Sequence, residues 1–153
     1  MANITFNIAK GRIVELYNRV ENNDPANAAF ILVPIETAGL EADATLIDVD
    51  TLAALIAGTT NEQITMGRKV LTDVELAALP APDDVNDRYS LNLPSVTWTA
   101  ATGNAISKIA VCYDSDTTLG TDANIVPLTM FDFVMTPSGG DIVVTGGEFF
   151  RAS

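Results

Sequence analysis

Oxygen-bearing side chains recur at alternate positions in one polar stretch, which is the spacing found in calcium-binding loops. They belong to Asp114, Asp116, Thr118 and Asp122. Carboxylate and hydroxyl oxygens are ligands that Ca²⁺ prefers. The stretch departs from a calcium loop at its sixth position, where Leu119 replaces the glycine of the turn, and at its twelfth, where Ile125 replaces the closing glutamate. The pattern therefore favours a solvated loop between two strands over a metal site.

A second group of acidic residues lies at positions 83, 84 and 87. Three neighbouring carboxylates can bind a hard cation. Here, however, Arg88 follows the group directly and a strand is expected to begin at the next residue. An arginine competes with a cation for the carboxylates, so we expect a polar loop. The sequence therefore predicts no metal ligand and no cofactor site.

Nucleophilic catalysis is disfavoured because the chain has a single cysteine and no histidine. A cysteine nucleophile needs a base close by. Cys112 lies within an apolar run, where free cysteine usually packs as a small buried hydrophobe. The absence of histidine also removes the usual base of a serine triad and the commonest metal ligand. We predict no catalytic residue and no enzyme activity, although a site built only from acids is left open.

Carbohydrate binding is the remaining chemistry that the residue types allow. A glycosidase needs two carboxylates roughly 5–9.5 Å apart beside an aromatic groove, and no pair of acids stands out. Trp98, the only tryptophan, can stack on a sugar, but its place between two predicted strands favours a role in the core. A glycan-binding module that uses Trp98 and exposed tyrosines is kept as an alternative.

Four glycines close to the C-terminal end occur in two pairs, at positions 139–140 and 146–147. A phosphate-binding loop would place such glycines between a strand and a helix, with a lysine next to them. Neither pair has that context. We interpret both as turns.

Composition predicts one domain over residues 1–153 with a sizeable hydrophobic core. The chain is 48% hydrophobic and 18% charged, and its longest apolar runs are shorter than the 18 residues that a membrane helix needs. The N-terminal residues do not have the pattern of a secretory signal, so we expect cytoplasmic synthesis and no membrane partner. A net charge of −12 repels phosphate, which argues against nucleic acid and favours either solubility or a basic protein partner.

Hydrophobic periodicity predicts strands and short helices in the N-terminal half. Ile13, Leu16, Tyr17 and Val20 follow the helical i, i+3, i+4, i+7 spacing. Thr72 and Glu75 match the capping box that begins a helix. The predicted elements are strands at 3–9 and 28–36 and helices at 12–21, 51–57 and 72–79.

The C-terminal half is predicted to be rich in β-structure. Its strands are expected at 89–93, 96–99 and 106–113, then as one or two strands over 125–128 and 131–134, and finally at 141–145 and 148–151, the last two separated by a hairpin turn or a bulge at Gly146–Gly147. The predicted fold class is α+β: an antiparallel sheet or sandwich centred on residues 88–113, with two or three short helices mostly in the N-terminal half. We divide the chain into a helix-containing half (1–79), a loop (80–87) and a β-rich half (88–153).

Three stretches carry a resemblance to known proteins, and together they cover nearly the whole chain. They are AKGRIVELYNRVENNDPANAAFILV (9–33), GLEADATLIDVDTLAALIAG (39–58) and LPAPDDVNDRYSLNLPSVTWTAATGNAISKIAVCYD (79–114). These stretches resemble a family of small proteins encoded by tailed bacteriophages among their virion structural genes. The resemblance implies a virion protein without catalytic residues, foremost a capsid decoration or cement protein on the outer surface of the head.

The implied partners are the major capsid protein or other virion proteins. A partner of a symmetric capsid lattice is expected to sit at a symmetry axis as a homo-oligomer, either a dimer or a trimer. A protein of the tail, baseplate or fibre shares the same properties of size and charge, and it is kept as an alternative location in the virion.

Overall fold

A computed structural model describes residues 4–153 and shows an α+β fold. Its strands are β1 (Ile4–Thr5), β2 (Ala29–Glu36), β3 (Lys69–Leu71), β4 (Tyr89–Leu93), β5 (Val96–Trp98), β6 (Ile106–Asp114), β7 (Val126–Met135), β8 (Ile142–Val144) and β9 (Gly147–Ala152). Its helices are α1 (Ile13–Glu21), α2 (Asp43–Leu46) and α3 (Leu52–Leu55), with 3₁₀ turns at Asn7–Ala9 and Asp122–Asn124. The predicted fold class is confirmed.

The main sheet has five antiparallel strands in the order β1-β7-β6-β2-β3. Its middle strand is β6, and its neighbour β2 is buried along nearly its whole length. A continuous apolar run is what a strand covered on both faces requires, so the prediction for 28–36 is confirmed. The sheet is not centred on residues 88–113 as expected, because β4 and β5 lie outside it.

Helix α1 packs its predicted apolar stripe into the core. Ile13, Leu16, Tyr17 and Val20 are all buried, which confirms both the helix and its buried face. The Tyr17 hydroxyl donates a hydrogen bond to the carbonyl oxygen of Ala77 at 2.8 Å. Burying the ring therefore leaves no unsatisfied polar group in the core.

The prediction of one strand over residues 3–9 is wrong for its second half. Residue 3 lies outside the described part of the chain, and the strand β1 ends at Thr5. The Asn7 amide donates to Ile47 at 2.9 Å and the Ala9 amide donates to Phe6 at 3.0 Å. These bonds turn the backbone away from the sheet and lead it into α1.

The helix predicted over 72–79 is also wrong, although its capping box forms. The Thr72 amide donates to the Glu75 carboxylate at 2.7 Å, and the Leu76 amide closes one turn onto the Thr72 carbonyl at 3.1 Å. Short helices depend on packing of an apolar face. Leu76 is buried, but Val74 is 82% exposed, so the segment has no such face and stops after one turn.

Helix α3 lies within the predicted range 51–57, and Thr51 caps its start. The Thr51 hydroxyl accepts a hydrogen bond from the Ala54 amide at 3.1 Å, and this bond satisfies one of the free amides at the helix start. Helix α2 and strand β3 were not predicted, because both are too short to show a period.

Strands β4, β5, β8 and β9 form one bent antiparallel ribbon. β4 pairs with β9 and β5 pairs with β8, and the pair Leu93–Gly147 is followed by the pair Val96–Val144. Both sides of the ribbon are therefore interrupted at the same level, at Pro94–Ser95 and at Thr145–Gly146. The expected pairing of residues 141–145 with 148–151 is wrong, since each segment pairs with a strand from the middle of the chain.

Gly146 packs directly against the opposite side of this bend. Its amide donates to the Ser95 hydroxyl at 2.9 Å. A Cβ atom at this position would lie 2.6 Å from both the Leu93 carbonyl oxygen and the Ser95 amide nitrogen. Backbone atoms cannot move aside as the end of a side chain can, so the bend requires glycine here.

We expect Gly146→Ala to lower the free energy of unfolding by about 1–3 kcal/mol, the usual cost of overpacking. Gly140→Ala is the matched control, because a Cβ atom there meets nothing within 4 Å; we expect a change of less than about 0.5 kcal/mol. Urea unfolding followed by tryptophan fluorescence measures both variants. Equal stability of the two variants would contradict the close packing at the bend.

Candidate interaction surface

The acidic loop at 114–122 uses its carboxylates for local structure. Asp114 accepts the Asp116 amide at 3.0 Å, and Asp116 accepts both the amide and the hydroxyl of Thr118. The hydrogen bonds from Thr118 lower the pKa of Asp116 below its ordinary value. Asp122 binds Arg68, so the carboxylates of this loop are engaged in local hydrogen bonds and in one ion pair. The interpretation as a polar loop is confirmed.

Arg68 joins two loops that are distant in sequence. Its guanidinium binds Glu62 at 2.6 Å and Asp122 at 2.7 Å, and the side chains of Arg68 and Glu62 are only 28% and 8% exposed. The hydrogen bond from Arg68 lowers the pKa of Asp122. The sequence did not indicate this interaction, because 54 residues separate Arg68 from Asp122.

The acidic group at 83–87 forms a tight polar turn, as predicted. Asp83 accepts hydrogen bonds from the side chains of Asn86 at 2.8 Å and Arg88 at 2.9 Å. The Asn86 bond, together with that of Arg88, lowers the pKa of Asp83. The turn borders a shallow groove beside the end of β9.

Trp98 is a core residue, which confirms the favoured interpretation of the sequence. Its ring is buried, its Nε1–H donates to the Gly67 carbonyl at 2.8 Å, and the Lys69 ammonium lies 5.9 Å from the ring centre. The expected exposed tyrosines are absent from the described structure: Tyr17 and Tyr113 are buried and Tyr89 is half-buried. Trp98 therefore does not present a face on which a sugar can stack.

Cys112 is fully buried in β6, as predicted, and burial strongly raises the pKa of its thiol. A thiol held in its neutral form is a poor nucleophile.

Within residues 4–153 no group of three or more histidine, cysteine or acidic side chains is arranged to hold a metal ion. No helix of the described chain has the length and apolar character to cross a bilayer.

The glycine pair 139–140 lies at a turn, in agreement with the sequence, whereas the pair 146–147 does not form the expected hairpin turn. The Gly139 amide donates to the Ala101 carbonyl at 2.7 Å, and the Ala101 amide donates to Gly140 at 2.9 Å. These bonds close the end of the ribbon beyond β5 and β8. Gly146 lies at the bend described above, and Gly147 begins β9.

The surface is acidic, and most cations are engaged inside the molecule. Five of the eight basic residues bind carboxylates: Arg19, Arg68, Arg88, Lys108 and Arg151. Among the described residues, seven of the twenty carboxylates take part in these ion pairs. The remaining carboxylates give the protein a strongly negative field, which attracts basic partners and repels acidic ones.

Exposed apolar residues interrupt this acidic surface on β7 and β8, the two strands that line one groove. Val134, Met135 and Val143 are 80%, 41% and 52% exposed. Beside them is a groove of about 280 Å³, which we call the β7–β8 groove. Its lining residues are Phe131, Asp132, Phe133, Val143, Val144 and Thr145. Grouped exposed apolar residues are typical of protein-binding surfaces.

An ion-pair cluster centred on the buried Lys108 lies beside this groove. The Lys108 ammonium binds Asp43 at 3.1 Å and also binds Asp132. Burial lowers the pKa of Lys108, but hydrogen bonds to Asp132 and Asp43 outweigh this effect and raise it overall. The cluster connects α2, β6 and β7, and it therefore supports one wall of the groove.

Comparison of the chain with protein-family models, with curated proteins and with solved structures finds no match.

We expect Arg68→Gln to lower the free energy of unfolding by about 1–3 kcal/mol, because Glu62 would be left buried without its charge partner. Arg19→Gln is the matched control. Its pair with Glu15 is about half exposed on both sides, and we expect no measurable change. Urea unfolding at pH 7 distinguishes the two, and an equally small effect for Arg68→Gln would contradict a structural role of this ion pair.

The Arg68–Asp122 pair predicts a loss of stability in acid. Because the pKa of Asp122 is lowered in the folded protein, its contribution is complete above the unfolded value of about 3.9 and is lost as pH falls through the folded value. A double-mutant cycle of Arg68→Gln and Asp122→Asn should give a favourable coupling energy at pH 7 that decreases below about pH 4. A coupling energy that is constant down to pH 2 would contradict the prediction.

Proposed function

We propose that this chain is a non-enzymatic structural protein of a tailed-phage virion, and that it binds the outer surface of the head as a capsid decoration protein. The observation that carries the proposal is the exposure of three apolar residues on β7 and β8, Val134, Met135 and Val143, on an otherwise acidic surface. This feature suits protein binding. The side chains considered for chemistry serve the fold instead: Trp98 and Cys112 are buried, and Asp122 binds Arg68.

The resemblance of the sequence to small tailed-phage proteins supplies the biological setting for this proposal. The charge supports an exterior position, because a protein of net charge −12 is repelled by packaged DNA. The major capsid protein is the partner that we propose. A capsid presents the same surface many times, so a dimer or trimer at a symmetry axis can engage several identical sites at once.

Decoration would stabilise the head because binding is thermodynamically linked to assembly of the capsid lattice. A protein that binds the assembled lattice but not its separated subunits shifts the equilibrium towards the lattice. At a free concentration of one hundred times Kd, each site contributes about 2.7 kcal/mol. Because one particle carries many sites, the total stabilisation free energy of the capsid is large, and no catalysis is needed.

The proposal predicts that the purified chain is a dimer or trimer in light scattering and that it cosediments at a fixed stoichiometry with phage heads that lack it. Such heads should also release DNA at a higher temperature once the protein is bound. A monomer that does not bind heads would overturn the head assignment. If a gold-labelled copy is found on the tail, baseplate or fibre, the protein would instead be assigned to that part of the virion.

A further inference from the structure

We infer that residues 42–57, which contain α2 and α3, form a flap that opens as one unit while the main sheet stays folded. Opening exposes three buried leucines, Leu46, Leu52 and Leu55, together with the surface on which they pack. The inference does not rest on the proposed function, because it follows from how this segment is attached to the rest of the chain.

The two ends of the flap meet at a neck, in which residues 39–41 lie against residues 58–61. The Thr59 hydroxyl donates to the Gly39 carbonyl at 2.7 Å. A Cβ atom on Gly39 would lie 2.1 Å from the Thr59 carbonyl oxygen, so the two backbones are in direct contact here. Surface loops whose ends are held together are Ω-loops, and they are frequently functional.

The neck is fixed to the main sheet. The Asn61 carbonyl accepts the amide of Glu36, the last residue of β2, at 2.9 Å, and Thr60 is fully buried. The neck therefore keeps its position when the flap moves. A hinge needs residues that absorb a change in backbone angles, and such residues are often small; the flap begins at Ala42 and ends at Ala57.

Few contacts hold the closed flap against the rest of the protein. Among the described residues, two backbone hydrogen bonds leave the flap, one from Asn7 to Ile47 and one from Leu52 to Ile125, each at 2.9 Å. No residue of the flap belongs to a strand of the described structure, and only its three leucines are buried. Segments with few buried apolar contacts and an exposed backbone open at low free-energy cost.

The ion pair between the flap and the sheet can break without leaving a buried charge alone. Asp43 begins α2 and binds Lys108 of β6 at 3.1 Å. Lys108 also binds Asp132, its direct partner on β7, so the ammonium keeps a carboxylate when Asp43 moves away. Loss of one partner from a buried pair is costly because the other charge is then unpaired. The arrangement at Lys108 avoids that cost.

Native-state hydrogen exchange measured by NMR tests whether the flap is one unit. The amides of Leu46, Ile47, Leu52 and Leu55 all donate hydrogen bonds when the flap is closed, so each exchanges only on opening. We expect their protection factors to agree within about threefold and to lie at least about tenfold below those of the central β6 amides, because the flap opens before global unfolding. Urea should affect flap exchange less than β6 exchange, since opening exposes less surface.

Two substitutions distinguish flap opening from global unfolding. Gly146→Ala destabilises the ribbon, which stays folded when the flap opens; it should lower protection in β6 and leave flap protection within about twofold. Asp43→Asn removes a contact that exists only in the closed state. It should therefore lower protection in the flap and in β6 by the same factor, about three- to tenfold.

Asp50→Asn is the matched control for Asp43→Asn, because it removes the same charge from the same flap. Asp50 is exposed and forms no hydrogen bond or ion pair with the described residues, so protection should change by less than about twofold. Four results would overturn the inference: flap amides as protected as those of β6, flap amides that differ among themselves by more than about tenfold, flap protection that falls as much as β6 protection in Gly146→Ala, or equal effects of the two aspartate variants.

Discussion

Contact among three aromatic rings holds the main parts of the molecule together. Tyr17 of α1, Phe30 of β2 and Phe149 of β9 are all buried, with ring centres 5.7 to 6.4 Å apart. Two of the contacts are edge-to-face, the geometry that aromatic quadrupoles favour. Because each ring comes from a different element, this cluster fixes α1 and the bent ribbon against the main sheet. The edge of β7 and strand β8 can form a groove only while the ribbon keeps this position.

The acidic composition has a second role inside the fold. Arg68 and Lys108 each bind two carboxylates from separate parts of the chain. Arg68 connects the segment before β3 to the 3₁₀ turn at Asp122–Asn124, and Lys108 connects α2 to β6 and β7. Because these basic side chains bind carboxylates of the same chain, the net charge of −12 makes the outer surface negative.

Local patterns in the sequence predict elements well when the pattern reports burial directly. The stripe of α1 and the continuous apolar run of β2 were of this kind, and both are found in the structure. The turn at Thr72 shows the limit: the capping hydrogen bonds are local, but a helix also needs an apolar face to pack, and Val74 points into solvent. The pairing of β4 with β9 could not be predicted, because no local feature identifies a strand partner more than fifty residues away.

The same distinction applies to the candidate site. The role of Trp98 followed from its place between two predicted strands, that of Cys112 from its apolar neighbours, and the Asp83 turn from the nearby Arg88. The β7–β8 groove could not be predicted, because no local pattern marks its residues as exposed. Val134 and Val143 lie in strands whose composition predicts burial, and their exposure depends on where the sheet ends.

The bent ribbon also constrains when the chain can fold. β9, at residues 147–152, covers β4, at residues 89–93, and contributes Phe149 to the aromatic cluster. On the ribosome, the middle of the chain emerges well before the strand that covers it. Contacts between such distant segments form slowly, because a long loop must close first. Until then the exposed edge of β4 and the apolar faces of α1 and β2 are open to association with other nascent chains.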